Sequence, residues 1–401
     1  MKRIAVLAMC LGLGLAGCSA IPSVDTGSLY LTNLPRHEQP TSLLVLILNY
    51  DNGYVDATDA EIEQGWADRI FGSGSIEKET ASINDYFKEN SHGQFYFEPI
   101  KLGENKTGVY SIHLDKNYSD EQDPEASWPY QDYKYDLVAA LEPLVEQGLD
   151  LKQFQAQGVD NTNFKDTLTA YDEAGQDHRD PQWFATSKIM IVYPGVENEP
   201  VDFYPLTAGL DSFTVAAHLN HDSSFGIIAH SLSQALGETV DANFDTYALT
   251  EVFNTVHINP FYKIIFGWAS PTIVTETSDV TLYPTTSQKY QPVIVRTADD
   301  NQYYILENRQ PTGFDRLLAD FVSDGLVVWR IDRLGCETIH DANRTGITLE
   351  TVMRVANDFQ VRRYVDDEDI TANSVDLAKI SITYVAQNSN GSIDAKVVFQ
   401  G

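Results

Sequence analysis

The chain has 401 residues, of which 27 are Lys or Arg and 58 are Asp or Glu, so its formal net charge is −31 at pH 7. Hydrophobic residues make up 43% and aromatic residues 11%, which is enough for a large core and excludes a wholly disordered chain. A surface this acidic argues against DNA, RNA and anionic lipids as direct contacts of the folded protein.

Residues 1–17 have the pattern of a secretory signal. Lys2 and Arg3 precede an apolar run at 4–15, which is too short to remain in a bilayer as a spanning helix. The following letters, L-A-G-C ending at Cys18, resemble the lipobox of bacterial lipoproteins. The resemblance implies cleavage before Cys18 and acylation of this residue, which would anchor the chain in a membrane. A plain cleaved signal with a coincidental Cys18 is the alternative.

Residues 18–40 are rich in Ser, Thr, Pro and Gly, and we interpret them as a tether. Ser19, next to the acylated position, resembles the sorting pattern of outer-membrane lipoproteins, so we expect the protein at the outer membrane of a bacterial cell envelope. Of the three Cys residues, Cys10 leaves with the signal and Cys18 is acylated. Cys336 is then left alone, which predicts no internal disulfide.

Residues 41–270 mix predicted strands with predicted helices, which indicates an α+β fold. Short apolar runs favour strands, and apolar positions on a 3.6-residue period favour helices. The predicted strands are 43–48, 95–100 and 188–192, and the predicted helices are 59–70, 82–89, 132–146, 225–236 and 260–266.

The segment 225–237, FGIIAHSLSQALG, is the most informative helix. Its apolar stripe consists of Phe225, Ile228, Ala229, Leu232 and Leu236. The opposite face has the frame of an H-E-x-x-H zinc-protease helix, in which two His bind zinc and Glu is the general base. His230 keeps the first position, but Ser231 replaces the Glu and Gln234 replaces the second His. An ordinary amphipathic helix with one hydrogen-bonded His is the competing interpretation.

From residue 271 onward, runs rich in Val, Ile, Tyr and Thr recur between turn signals. This pattern predicts antiparallel β structure. The predicted strands are 280–283, 293–296, 303–307, 326–331, 380–385 and 395–399, whereas 340–375 gives no clear pattern.

Five segments, in this order, resemble the immune inhibitor A type of secreted bacterial metallopeptidases, peptidase family M-six. They are LLVLILNYDN (43–52), SINDYFKENSHGQFYFEP (82–99), the helix at 225–237, NPFYKIIFGW (259–268), and the strand pair YYILENRQPTGFD (303–315) with GLVVWRID (325–332). The resemblance implies a zincin-like, metallopeptidase-type lobe over residues 41–270, followed by a β-rich C-terminal region over 271–401.

The sequence departs from this family around the metal site. The acidic turn that follows the family's helix is shifted or absent between Gly237 and Asp241, and Thr250 stands near the family's Met. Where the family commonly has His in its late strand, this chain has Arg330, which would place a permanent cation near the emptied metal position. Because His230 is the only motif ligand left, we expect neither catalysis nor a bound cofactor.

Two metal possibilities stay open. His218, His221 and His257 flank the helix and could form a displaced zinc site with His230, or they could be exposed loop histidines. The acidic clusters at 120–125 and 366–369 could bind Ca²⁺, as the family often does. Neither has the D-x-[DN]-x-[DN]-G spacing of a dedicated calcium loop, and solvated loops are the alternative.

Three classes of function remain. The first is a lipid-anchored pseudopeptidase that keeps the cleft to bind a polypeptide or another envelope component. The second is an active metallopeptidase with a displaced metal site. The third is a structural envelope lipoprotein that uses the fold only as a scaffold.

Overall fold

The first half of the fold is a parallel sheet built around one long apolar strand, β1. The structure is a computed structural model, and it describes residues 36–51, 58–116, 130–154, 187–193, 215–220, 225–236, 256–299, 302–316, 325–332, 346–355, 360–365 and 368–400. The sheet order is β2-β1-β4-β5, with β3 also paired to β1, and every pairing is parallel. The strands are β1 (Thr41–Tyr50), β2 (Phe97–Pro99), β3 (Val109–Leu114), β4 (Lys188–Tyr193) and β5 (Val215–Asn220).

Five α-helices accompany this sheet in the described residues. Two of them begin with a capping box, in which Thr58 pairs with Glu61 and Ser82 pairs with Asp85, so their start points are set by sequence. The helices are α1 (Asp59–Phe71), α2 (Ile83–Asn90), α3 (Tyr130–Glu146), α4 (Phe225–Ala235) and α5 (Pro260–Ile265).

Both faces of β1 are covered, as expected for a parallel sheet. Its even-numbered residues, such as Leu44 and Leu46, join a buried cluster with Leu137 and Leu141 of α3. Because side chains alternate along a strand, the fully buried Leu43 lies on the opposite face.

Two sheets form the second half of the fold. One has the order β13-β12-β11-β10-β9-β8-β6, and the other has the order β14-β15-β16-β7. Their strands are β6 (Thr272–Val274), β7 (Ser278–Leu282), β8 (Val293–Arg296), β9 (Gln302–Arg309), β10 (Gly325–Asp332), β11 (Ile347–Val355), β12 (Val361–Val365), β13 (Glu368–Ile370), β14 (Ser374–Leu377), β15 (Ile380–Gln387) and β16 (Ile393–Phe399).

A shared apolar core lies between these two sheets. Leu306 and Val328 of the larger sheet join one buried cluster with Ile382 and Val397 of the smaller sheet. The alternate residues of β9, Glu307 and Arg309, therefore lie on the other face of the larger sheet.

The predicted α+β class, with a β-rich C-terminal part, is confirmed. Pairing in the C-terminal part is antiparallel as predicted, except that β6 and β8 are parallel. The unassigned stretch at 340–375 contains β11, β12, β13 and the start of β14, and β3, β5 and β6 were also not predicted.

Several sequence predictions fall outside the described residues. These are the signal at 1–17, most of the tether at 18–40, Cys18 and Cys336, and the acidic cluster at 120–125. The boundary at residue 270 stays a prediction.

No described helix is both long enough and apolar enough to cross a membrane.

Candidate functional site

The apolar face predicted for the helix at 225–237 packs as expected. Ile228, Leu232 and Leu236 are fully buried. Phe225, the first residue of α4, is partly exposed, and its ring stacks on that of Phe314 with a centroid distance of 5.8 Å. Burial of this stripe fixes how α4 is rotated about its own axis.

The polar positions of α4 are less fully described. His230, Ser231 and Gln234 lie within the helix, but their side chains are outside the described residues, so the direction in which they point stays a prediction. The same holds for the side chain of His218, which lies on β5, and for all of His221.

The C-terminal end of α4 is held by His37, which precedes β1. The ring Nε2 of His37 lies 2.8 Å from the backbone oxygen of Leu236 and donates to it, since a carbonyl only accepts. Burial, together with the charge of Lys188, lowers the pKa of His37 to about 3, so the ring is neutral at pH 7. Trp268, which follows α5, donates its indole N–H to the backbone oxygen of His37 over 2.7 Å. The ends of α4 and α5 are thereby tied together.

The middle of the site is organised by α2. The hydroxyl of Tyr86 donates to the backbone oxygen of Val256 over 2.9 Å, and the side-chain oxygen of Asn90 accepts from the backbone N–H of Ile258 over 2.8 Å. These contacts position the backbone segment that carries His257.

Three titratable side chains form a hydrogen-bonded chain beside α2. His257 Nε2 lies 2.7 Å from Glu89 Oε1, and Lys263 Nζ lies 2.7 Å from His257 Nδ1. An ammonium can only donate, so Nδ1 accepts and Nε2 carries the proton that is donated to Glu89. His257 and Lys263 are fully buried, whereas 27% of the Glu89 side chain is exposed. We call these three residues the relay.

Burial controls the protonation of the relay. It lowers the pKa of His257, and the neighbouring charge of Lys263 adds to that effect. Burial also lowers the pKa of Lys263 to about 8, although the negative charges of Glu307, Asp315 and Glu89 act to raise it. At pH 7 the relay therefore holds a charged Lys263 and a neutral His257.

Two fully buried carboxylates lie behind the relay. Asp315 accepts the backbone N–H of His257 over 2.9 Å and the hydroxyl of Thr285 over 2.9 Å. Burial by itself raises the pKa of Asp315, but the nearby cationic groups and the His257 N–H bring it below its usual value. Asp315 therefore acts as a fixed negative charge beneath the relay.

The second buried carboxylate, Glu307, is bound by three donors from the larger sheet and its loops. Arg309 Nε lies 2.8 Å away, Trp329 Nε1 2.8 Å away and the hydroxyl of Tyr290 2.9 Å away. Arg309 also donates to the backbone oxygen of His257 over 3.1 Å. The charged face of the larger sheet is thus joined directly to the segment that carries the relay.

His92 lies next to the relay and has an unusual conformation. Its φ is +53°, and its ring centroid lies 5.5 Å from that of Tyr290. Its Nε2 is buried without a hydrogen-bond partner, and burial together with the charges of Lys263 and His257 lowers its pKa to about 4.

The structure shows the surroundings of two residues that the sequence analysis associated with a metal site. Both ring nitrogens of His257 are engaged by Glu89 and Lys263, so neither is directed at a metal position. Arg330 Nε lies 2.9 Å from Glu350, and Arg330 pairs with Tyr304, whose side chain joins the core between the two sheets. Arg330 therefore lies on the sheet face opposite to Glu307, and its place relative to His230 stays a prediction.

No group of three or more His, Cys, Asp or Glu in the described part of the chain has the geometry of a metal site. Because the side chains of His218 and His230 and all of His221 are outside that part, the displaced zinc site stays a prediction.

Neither a protein-family model nor a curated protein matches this chain. The resemblance to immune inhibitor A-type peptidases therefore stays a prediction that depends on the order of the sequence motifs.

Sequence reasoning did not single out Glu89, Lys263, Glu307 or Arg309 as functional residues. All four lie within segments that carry the family resemblance, and the charged residues in apolar strand β9 were a detectable signal. A charged side chain in a buried strand needs partners, but the sequence does not say which partners it has.

Proposed function

We propose that the chain is a lipid-anchored cell-envelope pseudopeptidase. It has an immune inhibitor A-like, zincin-like lobe whose cleft binds a polypeptide or another envelope component without cleaving it. The observation that carries this proposal is the convergence of the family-like segments on α2.

The contacts on α2 come from segments far apart in sequence. The Tyr86 ring meets the rings of Phe225 and Phe314 edge-on, with centroid distances of 6.3 and 5.0 Å. Phe87 meets Trp268 with a centroid distance of 6.3 Å. The segments at 82–99, 225–237, 259–268 and 303–315 therefore share one packed centre, which supports their being parts of one ancestral site rather than chance matches.

The chemistry of α4 supports binding without hydrolysis. A catalytic zinc needs three protein ligands and an open position for water. Of the motif ligands only His230 is present, and the amide of Gln234 is a poor substitute for imidazole. Ser231 in place of Glu removes the general base, which is typically worth ~10²–10⁴ in rate.

Metal analysis and a protease assay test this proposal. The protein consisting of residues 19–401 is expected to hold no stoichiometric zinc and to leave casein intact. One equivalent of zinc, with casein cleavage abolished by a chelator and by His230→Ala, would instead establish an active metallopeptidase with a displaced site. The double change Ser231→Glu and Gln234→His recreates the H-E-x-x-H motif with His230. It tests whether the backbone of the site is preserved, because it is then expected to raise the affinity for zinc.

A peptide array separates a binding protein from a structural lipoprotein. The pseudopeptidase is expected to retain a subset of decapeptides, whereas a purely structural protein would retain none above background. The anchor is tested separately by labelling cells with a fatty acid. We expect label on the wild-type chain and none on Cys18→Ser, which should leave the membrane fraction.

A further inference from the structure

Glu89 differs from the other carboxylates around the relay because it reaches the surface. Glu307 and Asp315 are fully buried, whereas 27% of the Glu89 side chain is exposed. Glu89 lies in the last turn of α2 and is the point at which the buried charged groups meet solvent.

One oxygen of this carboxylate is held in place. Oε1 accepts from His257 Nε2 over 2.7 Å and from the backbone N–H of Phe314 over 2.8 Å. The close approach of the chain at this point requires Gly313, where a Cβ atom would lie 2.1 Å from Oε1 and where φ is +58°. The side chain of Glu89 is therefore ordered before any ligand arrives, which lowers the entropic cost of binding.

The other oxygen of the Glu89 carboxylate, Oε2, can accept a hydrogen bond from a ligand. Oε2 accepts no hydrogen bond from the described residues, and it is not among their buried polar atoms that lack a partner. It is therefore the oxygen that faces solvent.

Among the described residues, no ammonium or guanidinium group contacts the Glu89 carboxylate directly. Among the described residues, its only ion-pair contact is with His257, whose pKa is lowered by burial. The ammonium of Lys263 is separated from Glu89 by the imidazole ring of His257. A carboxylate that has lost part of its hydration without a direct contact to a cation is a strong acceptor for an external one.

The position of Glu89 connects it to the proposed cleft. Phe314, which donates to Glu89, stacks on Phe225, the first residue of α4. A net charge of −31 also favours approach by a basic partner over an acidic one.

We propose that Glu89 Oε2 binds the ammonium or guanidinium group of a Lys or Arg side chain on a polypeptide ligand. This inference rests on the proposed function and names the chemical class of its ligand. The ammonium would donate to Oε2 while Oε1 stays bound to His257 and Phe314.

The test uses an array of random decapeptides that contain one Lys, each printed beside its acetyl-lysine form. Acetylation removes the charge and leaves the rest of the peptide unchanged. We expect the wild-type chain to bind the Lys form at least tenfold more tightly at physiological salt. The variant Glu89→Gln should show less than a twofold preference. Glu104→Gln, which removes the same charge from an exposed position between β2 and β3, should keep the tenfold preference.

A zero-length carbodiimide cross-linker gives a second measurement that needs no variant. It joins a carboxylate to an amine that touches it, and mass spectrometry of the wild-type protein with a bound Lys peptide should locate the link at Glu89. Links found only at other carboxylates would overturn the inference.

The outcomes separate the two proposals. If wild-type protein binds Lys and acetyl-lysine peptides equally, or if Glu89→Gln keeps the preference, the role of Glu89 is overturned and the pseudopeptidase proposal stands. If wild-type protein binds no peptide on the array, the proposal that the cleft binds a polypeptide fails and this inference fails with it.

Discussion

Lys263 Nζ lies 2.7 Å from His257 Nδ1, and both side chains are fully buried. The ammonium also lies 5.0 Å from the ring centroid of Tyr290. This single contact connects α5 to the segment at 256–259, which is in turn bound by α2. Arg309 of β9 donates to the backbone oxygen of His257 over 3.1 Å, so the two halves of the fold are also held together here by a charged group.

Replacing Lys263 by Met should destabilise the protein. Met keeps the apolar part of the Lys side chain but removes its positive charge. Arg309 then remains as the buried cation beside the carboxylates of Glu307 and Asp315. Breaking a buried charged group in this way typically costs ~3–5 kcal/mol. Urea unfolding should show a loss of this size, whereas Lys78→Met at an exposed position should change the free energy of unfolding by less than ~0.5 kcal/mol. A loss below about 1 kcal/mol for Lys263→Met would contradict this account.

Stability should fall as the pH drops below about 6.5. The pKa of His37 is about 3 in the folded chain and 6.5 as its ordinary value, so the unfolded chain binds a proton in this range that the folded chain does not. The contribution of His37 to the free energy of unfolding is therefore complete above pH 6.5. It is lost towards pH 3, at about 1.4 kcal/mol per pH unit.

Urea unfolding at pH 6, 5 and 4 measures this contribution. His37→Gln keeps a donor for the Leu236 carbonyl but has no proton to bind, so its stability should depend less steeply on pH. His92→Gln should act in the same way, but only down to about pH 4, because the pKa of His92 is about 4. Identical slopes in His37→Gln and wild type would rule out His37 as a source of the acid sensitivity.

The sequence predicted the locally determined parts of this structure well. Ser82 and Asp85 form the capping box that starts α2, and periodicity gave the buried face of α4. Local patterns failed where a strand is set by its neighbours: β11, for example, has a register shift against β10 between Val328 and Trp329. Such irregular pairing leaves no clean alternation to detect.

The partners of the relay could not have been predicted from local sequence. Glu89 and His257 are separated by 168 residues, and their contact depends on the packing of α2 against the segment at 256–259. A buried charged residue in a sequence shows that a partner is needed, and only the topology shows which residue it is.

Replacing Leu232 by Ala should destabilise the protein by ~2–5 kcal/mol, as for other fully buried Leu side chains. The loss follows from removing apolar contacts and leaving a cavity beneath α4. Val385→Ala is the matched control, because 58% of Val385 is exposed, and it should cost less than ~0.5 kcal/mol. Thermal or urea unfolding of the two variants side by side checks the predicted order. Equal losses would mean that α4 does not pack as described.

Gly313 and Gly93 provide the sharpest test of the Glu89 environment. Both have positive φ, +58° and +84°, so an Ala at either position pays the cost of a left-handed backbone, roughly 1–2 kcal/mol. At Gly93 nothing lies within 4 Å of the added Cβ, whereas at Gly313 the Cβ would lie 2.1 Å from Glu89 Oε1. Gly313→Ala should therefore cost more than Gly93→Ala, since Glu89 must give up its bonds to His257 and Phe314.

The excess cost should disappear when Glu89 is removed. In a Glu89→Ala background the added Cβ meets no carboxylate, so Gly313→Ala should then cost about as much as Gly93→Ala does. The double-mutant cycle should give a coupling energy between 313 and 89 of about 1–3 kcal/mol, the range for residues in direct contact. Urea unfolding of the four proteins measures it, and Gly93→Ala in both backgrounds is the control, with a coupling near zero. Additive effects at 313 and 89 would show that the Glu89 carboxylate is not held against Gly313.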